Sequence, residues 1–346
     1  MATDYIETRP AQARGEKALL HAEKRFSLNR RFADPVEISS QFRSFLKIED
    51  QRLKMAHRRG ASGIQTAVAR SSVLDLVVTR AYRAAISLAS VTEFDRAQTR
   101  CALVALGGYG RGELAPYSDL DILFLHSNHE LLETRQVVEQ TLRLLWDAGL
   151  TVGHSLRSVS ECVAAARADP HLQTALVSTR LLAGSEELYA SLLESFEKNR
   201  RKRAEAFIAA IRYERDERYA KFGAAVCLQE PNVKESAGGI RDLHTALWAG
   251  FARYGCRTLE ELRGRGLISE SEARSAARAA DFLWRIRYAT HLSTRRKNER
   301  LSLELQTILA REFGYKAGSY LLASEKFMRD YYRQARELHH FSETLV

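Results

Sequence analysis

Two aspartates, Asp119 and Asp121, follow a pair of glycines, Gly107 and Gly108, within the stretch ALVALGGYGRGELAPYSDLDILFLH at 102–126. Residues 101–106 are a short apolar run that stops at the two glycines, the pattern of a buried strand ending in a tight turn. Lacking a Cβ, Gly107 and Gly108 allow the backbone to approach a phosphate. Asp119 and Asp121 open a second apolar run, Leu120, Ile122, Leu123, Phe124 and Leu125, and side chains at i and i+2 of a strand share one face. Both carboxylates therefore point toward the mouth of the turn, placed to hold Mg²⁺ ions (or Mn²⁺) that bridge to a nucleoside triphosphate. Taken singly, a Gly-Gly pair is a turn and an Asp-x-Asp pair a solvated strand end; together and in this order they point to a nucleotide site. A calcium loop is the rival reading for the acids, and the EF-hand pattern it needs is absent.

The elements that must position these groups are legible in outline. Residues 1–35 are polar and charged, with Pro10 and Pro35, and read as a helix with a loose end, whereas 36–55 have helical periodicity and 58–63 form a glycine-containing loop. Residues 71–90 carry Val73, Leu74, Leu76, Val77, Val78, Tyr82 and Ile86, an amphipathic helix suited to back a sheet. After the aspartate strand, 130–148 read as a helix stopped by Gly149, and 150–156 as a third strand. From Ser158 onward the pattern is helical almost throughout, with no proline after Pro231. The expected fold is α+β: a small mixed sheet flanked by helices, then an all-helical subdomain. The expected divisions are an N-terminal helical segment (1–60), a nucleotide-handling domain (61–185) and the helical subdomain (186–346).

Composition is compatible. The chain has 346 residues, 45% hydrophobic and 28% charged, a globular balance with room for two cores. No apolar run reaches membrane-spanning length and the N-terminal MATDYIETRP has no signal-peptide core, so a cytoplasmic protein without a membrane partner is expected. Cys101, Cys162, Cys227 and Cys256 are far apart, without a Cys-x-x-Cys pair, and read as small buried apolar residues. The net charge of +10 admits a nucleic-acid partner or an anionic substrate. Its clusters RRKR (200–203) and RRK (295–297) lack interleaved aromatics and an RNA-binding motif, which favours solvated helix faces over nucleic acid.

The string GGYGRGELAPYSDLDIL (107–123) resembles the signature of the DNA polymerase beta-like nucleotidyltransferase superfamily, and within it is most similar to the bacterial protein-PII uridylyltransferase/uridylyl-removing family. A second block, EPNVKESAGGIRDLHT (230–245), resembles that family's EPNxKExxGGxRD element, and RGASG (59–63), VGHSLR (152–157), RLLAG (180–184) and FLWRIRYATH (282–291) support it. The resemblance covers about residues 45–346.

It implies transfer of UMP from UTP to a tyrosine of the PII signalling protein, with release of pyrophosphate. Asp119 and Asp121 would be the metal ligands, Gly107 and Gly108 would offer N–H groups to the β- and γ-phosphates, and Arg111 is a candidate counter-charge. Ser118 would bond phosphate or cap a turn. Lys234 and Arg241 would line the triphosphate or base pocket, or else belong to a structural network around Gly238 and Gly239. The superfamily's third carboxylate is not recovered: 151–157 contain no acid, only His154 and Ser155. His154 reads as a strand-end residue, and among Asp169, Glu230 and Asp242 the sequence does not choose.

The family architecture continues into an HD phosphohydrolase and two ACT domains. No His-Asp dipeptide occurs here, so the chain is expected to be the N-terminal part of such an enzyme, able to transfer UMP but not to remove it. Two other readings are a nucleotidyltransferase for another acceptor, RNA or a small molecule, and a non-catalytic interaction domain; intact Asp119 and Asp121 argue against the latter.

Overall fold

The computed structural model describes residues 34–88, 101–127 and 132–346; the helix expected over most of 1–35 lies outside them. Asp34 caps the first helix by accepting from the Val36 amide at 2.9 Å, and Pro35 occupies a first-turn position where its missing N–H costs nothing. That helix, α1 (Pro35–Arg58), and α2 (Gly63–Leu88) precede β1 (Cys101–Ala105). The chain continues through α3 (Gly107–Gly110), β2 (Leu120–His126), α4 (Leu132–Asp147) and β3 (Val152–Ser158). Then come α5 (Val159–Ala168), α6 (Pro170–Val177), β4 (Arg180–Gly184), and a long α7 (Glu186–Phe222) that kinks at Arg203. The remainder is helical: α8 (Ile240–Tyr254), α9 (Leu259–Gly264), α10 (Glu270–Thr294), α11 (Leu303–Glu312) and α12 (Ala323–Leu345).

The four strands form one mixed sheet in the order β3-β2-β1-β4, with β2 and β3 parallel and the other pairs antiparallel. Alternation along the strands splits their side chains between two cores. Leu103, Ile122 and Phe124 face a core shared with Ile38 and Phe42 of α1, Val77 and Tyr82 of α2, and Leu145 of α4. Val104, Leu123 and Leu125 face the opposite core, with Cys162 of α5, Leu176 of α6, Phe196 and Phe207 of α7, and Phe251 of α8. A third core joins Ile64 and Ala67 of α2 to Trp284 of α10 and to Phe327 and Tyr331 of α12. Thus α1 shares the core of the sheet and α7 starts beneath it, while α8, α10 and α12 make the helical mass.

Several sequence expectations need correction. Strand β4 falls inside the stretch read as helical; it is a short edge strand with a register irregularity opposite Leu103 and Val104. Strand β3 begins and ends two positions later than the 150–156 reading. The glycine pair does not form a simple turn but opens the single helical turn α3, and Gly107 there has φ +55. Gly110 is required on other grounds: a Cβ at that position would overlap the Ser178 carbonyl oxygen that closes over α3. Cys101, Cys162 and Cys256 are buried as expected, whereas Cys227 is exposed.

Candidate active site

Asp119 and Asp121 sit at the head of β2, and Asp121 points to the sheet face that carries Leu123 and Leu125. α3 stands beside it: a Cβ on Gly107 would lie 3.8 Å from Asp121 Oδ2. Together they form one wall of a cleft of about 550 Å³ lined also by Arg111, Ser118, Lys234, Arg241 and Lys297. The cleft's other walls come from α6 and α7, through Thr174, Ile211 and Glu214, and from α8 and α10, through Trp248 and Arg287. Every residue expected to bind nucleotide therefore lines the same cleft, although Asp121 and Arg241 belong to different halves of the chain.

The approach to the aspartates is a bent loop. Tyr117 is left-handed at φ 60, half-exposed, and turns the backbone into Ser118 and Asp119; such a conformation in a non-glycine residue persists where surrounding structure imposes it. Pro116, next to it, accepts a hydrogen bond from Nδ1 of the buried His291 of α10, tying the loop to the helical mass.

Charges in the cleft are paired in a defined way. Arg111 Nε donates to Glu113 Oε2 at 2.7 Å, and His244 Nε2 lies 2.9 Å from the same oxygen. Burial opposes charge on Glu113, but Arg111 and His244 outweigh it and hold the carboxyl far below the usual range. Burial, with Arg111 next, lowers His244 to about 3; it is therefore neutral, with Nε2 as the donor. Lys234 Nζ lies 3.0 Å and Arg241 Nε 3.3 Å from Glu235, and Arg241 stacks on Trp248 at 5.3 Å. Glu235, though buried, is brought down to about 2 by Arg241 and Lys234. Desolvation and then Asp119 raise Asp121, against the pull of Lys297, Lys234 and Arg111.

The fit to a divalent cation is good but incomplete from protein alone. Among the described residues no group of three His, Cys, Asp or Glu is arranged to hold a metal. Magnesium does not need one: it is commonly held by one or two carboxylates plus substrate phosphates and water. Space for it is kept by Gly153, which pairs with Asp121 across β2 and β3 and whose Cβ, if present, would lie 3.0 Å from Asp121 Oδ1.

None of the third-carboxylate candidates reaches the cleft. Asp169 caps α6 through the His171 amide, and Glu230 caps α11 through the Leu303 amide while pairing with Arg300. Asp242 is fully buried and holds Arg218 Nη2 at 2.7 Å, Tyr219 Oη at 2.8 Å and the Gly238 amide at 2.7 Å. That carboxylate is the centre of the expected structural network; Lys234 and Arg241 lie outside it. His154 faces away from Asp121 and meets Trp146 edge-on at 6.0 Å.

Three cleft residues escape the sequence reading. Glu113 and His244 lie inside the two quoted blocks, and His244 falls one turn after Arg241 on the face of α8 that also carries Trp248, a spacing that signals a shared surface. Lys297, assigned above to a solvated helix face, instead places its Nζ 2.6 Å from Asp119 Oδ2. Arg200 is also not solvated: it donates to the Ala252 carbonyl at 3.0 Å and lies over the Phe251 ring at 5.6 Å.

Residues 206–346 match the family described as GlnD PII-uridylyltransferase, and residues 91–160 match a nucleotidyltransferase domain. A bifunctional uridylyltransferase/uridylyl-removing enzyme from Rhodopseudomonas palustris is 41% identical over 267 residues, 77% of this chain and 29% of the relative. Enzymes of the same name from Phenylobacterium zucineum and Pseudomonas aeruginosa are each 40% identical, covering 81% and 71% of this chain and 30% and 27% of their own lengths. The chain belongs to the PII-uridylyltransferase family. It spans less than a third of the length of these relatives. Within this family stretch the two matched regions face each other: the aspartates come from the nucleotidyltransferase region, and Lys234, Arg241, His244 and Lys297 from the PII-uridylyltransferase region. Among the described residues no helix is long and apolar enough to cross a membrane.

The glycine wall yields a direct test. At Gly108 no left-handed φ is imposed, and a Cβ would meet only the Glu113 carbonyl oxygen at 3.4 Å and Arg111 Nη2 at 3.8 Å. Gly108→Val is thus accommodated by the fold while its methyls crowd the Arg111 guanidinium. Nucleotide affinity is expected to fall by about tenfold or more, for a lost charge-assisted contact, with the melting temperature little changed. Unaltered affinity in a calorimetric titration would remove Gly108 and Arg111 from phosphate binding.

Proposed function

We propose that this chain is the transferase portion of an enzyme that moves UMP from UTP to a tyrosine hydroxyl of the PII nitrogen-regulatory protein, releasing pyrophosphate. The observation that carries the reading is the convergence of Asp119, Asp121, Gly107, Gly108, Lys234 and Arg241 on one cleft. In such a transfer the hydroxyl attacks the α-phosphorus in line with the departing pyrophosphate, and charge spreads over the phosphate oxygens. Magnesium or manganese held by Asp119 and Asp121 would neutralise that charge and lower the pKa of the attacking oxygen.

The chain's own groups do the rest. At the start of α3 the amides of Gly107 and Gly108 would offer N–H donors to the β- and γ-phosphates. Ser118 adds a hydroxyl at the rim. Arg111, fixed by Glu113, and Arg241, fixed by Glu235 and by stacking on Trp248, present guanidinium groups with little freedom to lose, which suits planar recognition of phosphate oxygens. Lys234 adds a cation on the same side. Arg111, Lys234, Arg241 and Lys297 bring positive charge to the cleft beside the carboxylates of Glu113, Asp119, Asp121 and Glu235.

Arg241→Ala distinguishes a substrate role from a structural one. Because the buried network rests on Asp242 and not on Arg241, the variant is expected to lose about tenfold or more in kcat/KM and to shift its melting temperature by no more than about 2 °C. A large thermal shift with normal turnover would assign Arg241 to the scaffold. The function itself is tested by incubating the chain with Mg²⁺, purified PII protein and each of the four α-labelled nucleoside triphosphates. Label on a PII tyrosine from UTP is the expected result; label from another nucleotide would overturn the substrate assignment, and unlabelled PII would overturn the acceptor.

A further inference from the structure

Lys297 differs from Arg111, Lys234, Arg241 and Arg287, the other ion-paired cations around the aspartates. Arg111 has Glu113, Lys234 and Arg241 have Glu235, and Arg287 chelates Glu299 through bonds of 2.7–3.0 Å. The carboxylate that Lys297 holds is Asp119, across 178 positions of sequence, at 2.6 Å, with both side chains about half exposed. An ammonium thus stands on one of the two carboxylates suited to a divalent cation.

The backbone that carries it is anchored, while the side chain is held only by its half-exposed pair with Asp119. Arg295 turns the end of α10 in a left-handed conformation, the Arg300 amide donates to Asn298 Oδ1 at 3.2 Å, Glu299 is clamped by Arg287, and Asn232 and Arg300 form an isolated bridge. From this fixed base Lys297 extends a flexible stem with a compact charge at its tip. An exposed ion pair contributes little to stability, so leaving Asp119 costs the fold little. With a divalent cation held by Asp119 and Asp121, the Lys297 ammonium would be repelled from Asp119 and free to swing toward other anions in the cleft.

We infer that Lys297 is a catalytic ammonium with two successive partners: Asp119 before the metal nucleotide enters, and the β- and γ-phosphate oxygens of the bound triphosphate afterwards. No bond is made or broken in the exchange; an ion pair is traded for another, and the ammonium then offsets charge on the departing pyrophosphate. Before nucleotide arrives, Lys297 neutralises one of two adjacent carboxylates and disfavours capture of a free cation. The inference rests on the nucleotidyl-transfer reading.

The test compares Lys297→Met and Lys297→Arg with the unaltered chain in two binding measurements and a melting curve. Mn²⁺ binding to the nucleotide-free protein, followed by electron paramagnetic resonance, is expected to tighten about threefold in Lys297→Met, the scale of an exposed pair. Binding of Mg²⁺ with a non-hydrolysable UTP analogue, followed by calorimetry, is expected to weaken about tenfold in the same variant. Lys297→Arg is expected to stay near the unaltered chain in both, and melting temperatures to agree. Opposite signs are the signature: unchanged Mn²⁺ affinity overturns the inference, and so does an analogue that binds as tightly or more tightly, as a simple plug would give. If the unaltered chain binds neither Mn²⁺ nor the analogue, the nucleotidyl-transfer reading fails and the inference with it.

Discussion

Asp119→Asn or Asp121→Asn is expected to reduce nucleotidyl transfer by about a thousandfold or more, since an amide keeps the shape but cannot hold a divalent cation at the reacting phosphate. Stability should be nearly untouched. Asp119 is half exposed and its ion partner Lys297 is equally so, and Asp121 is raised by desolvation and by Asp119, so its charge opposes folding slightly. The check is a transfer assay beside thermal unfolding of each variant. Near-normal turnover in either would contradict the metal assignment; loss of turnover with a collapse of the melting temperature would show a scaffold role.

Asp242→Asn is expected to do the reverse. Its carboxylate is fully buried and joins three parts of the helical mass: Arg218 and Tyr219 of α7, the Gly238 turn, and His339 of α12 at 3.6 Å. Burial opposes its charge, yet the nearby His339 and the Arg218 guanidinium hold the carboxyl below its usual range. Removing the charge leaves the Arg218 guanidinium, only 3% exposed, without its counter-ion, a loss of about 3–5 kcal/mol. In differential scanning calorimetry this should appear as a fall of roughly 5–10 °C in Tm, with residual activity at low temperature close to normal. A Tm within about 1 °C of the unaltered chain would show that the network is not a stability centre.

What the sequence could show differs by element for physical reasons. Strands β1 and β2 and the aspartate pair were readable because apolar runs stop at glycines and an i, i+2 spacing has one structural meaning in a strand. Strand β4 was not: its apolar core is Leu181, Leu182 and Ala183 between helical stretches, and so short a run has no periodicity of its own. No acid of 151–157 faces Asp121, because Gly153 occupies the paired position and leaves room there. His244 was within reach of helical spacing from Arg241. Lys297 was not, since no local pattern distinguishes a lysine that crosses to Asp119 from one that faces water.

The central claim, a metal triphosphate held between the Asp119–Asp121 wall and the Lys234–Arg241 wall, is tested most directly by crystallising the chain with Mn²⁺ and a non-hydrolysable UTP analogue. Anomalous density is expected beside Asp119 and Asp121, with metal–oxygen distances of about 2.2 Å, near those of other small divalent cations, and with phosphate oxygens on the Gly107 and Gly108 amides and on Arg241. A metal peak away from both aspartates, or a triphosphate that touches only one wall, would contradict the account.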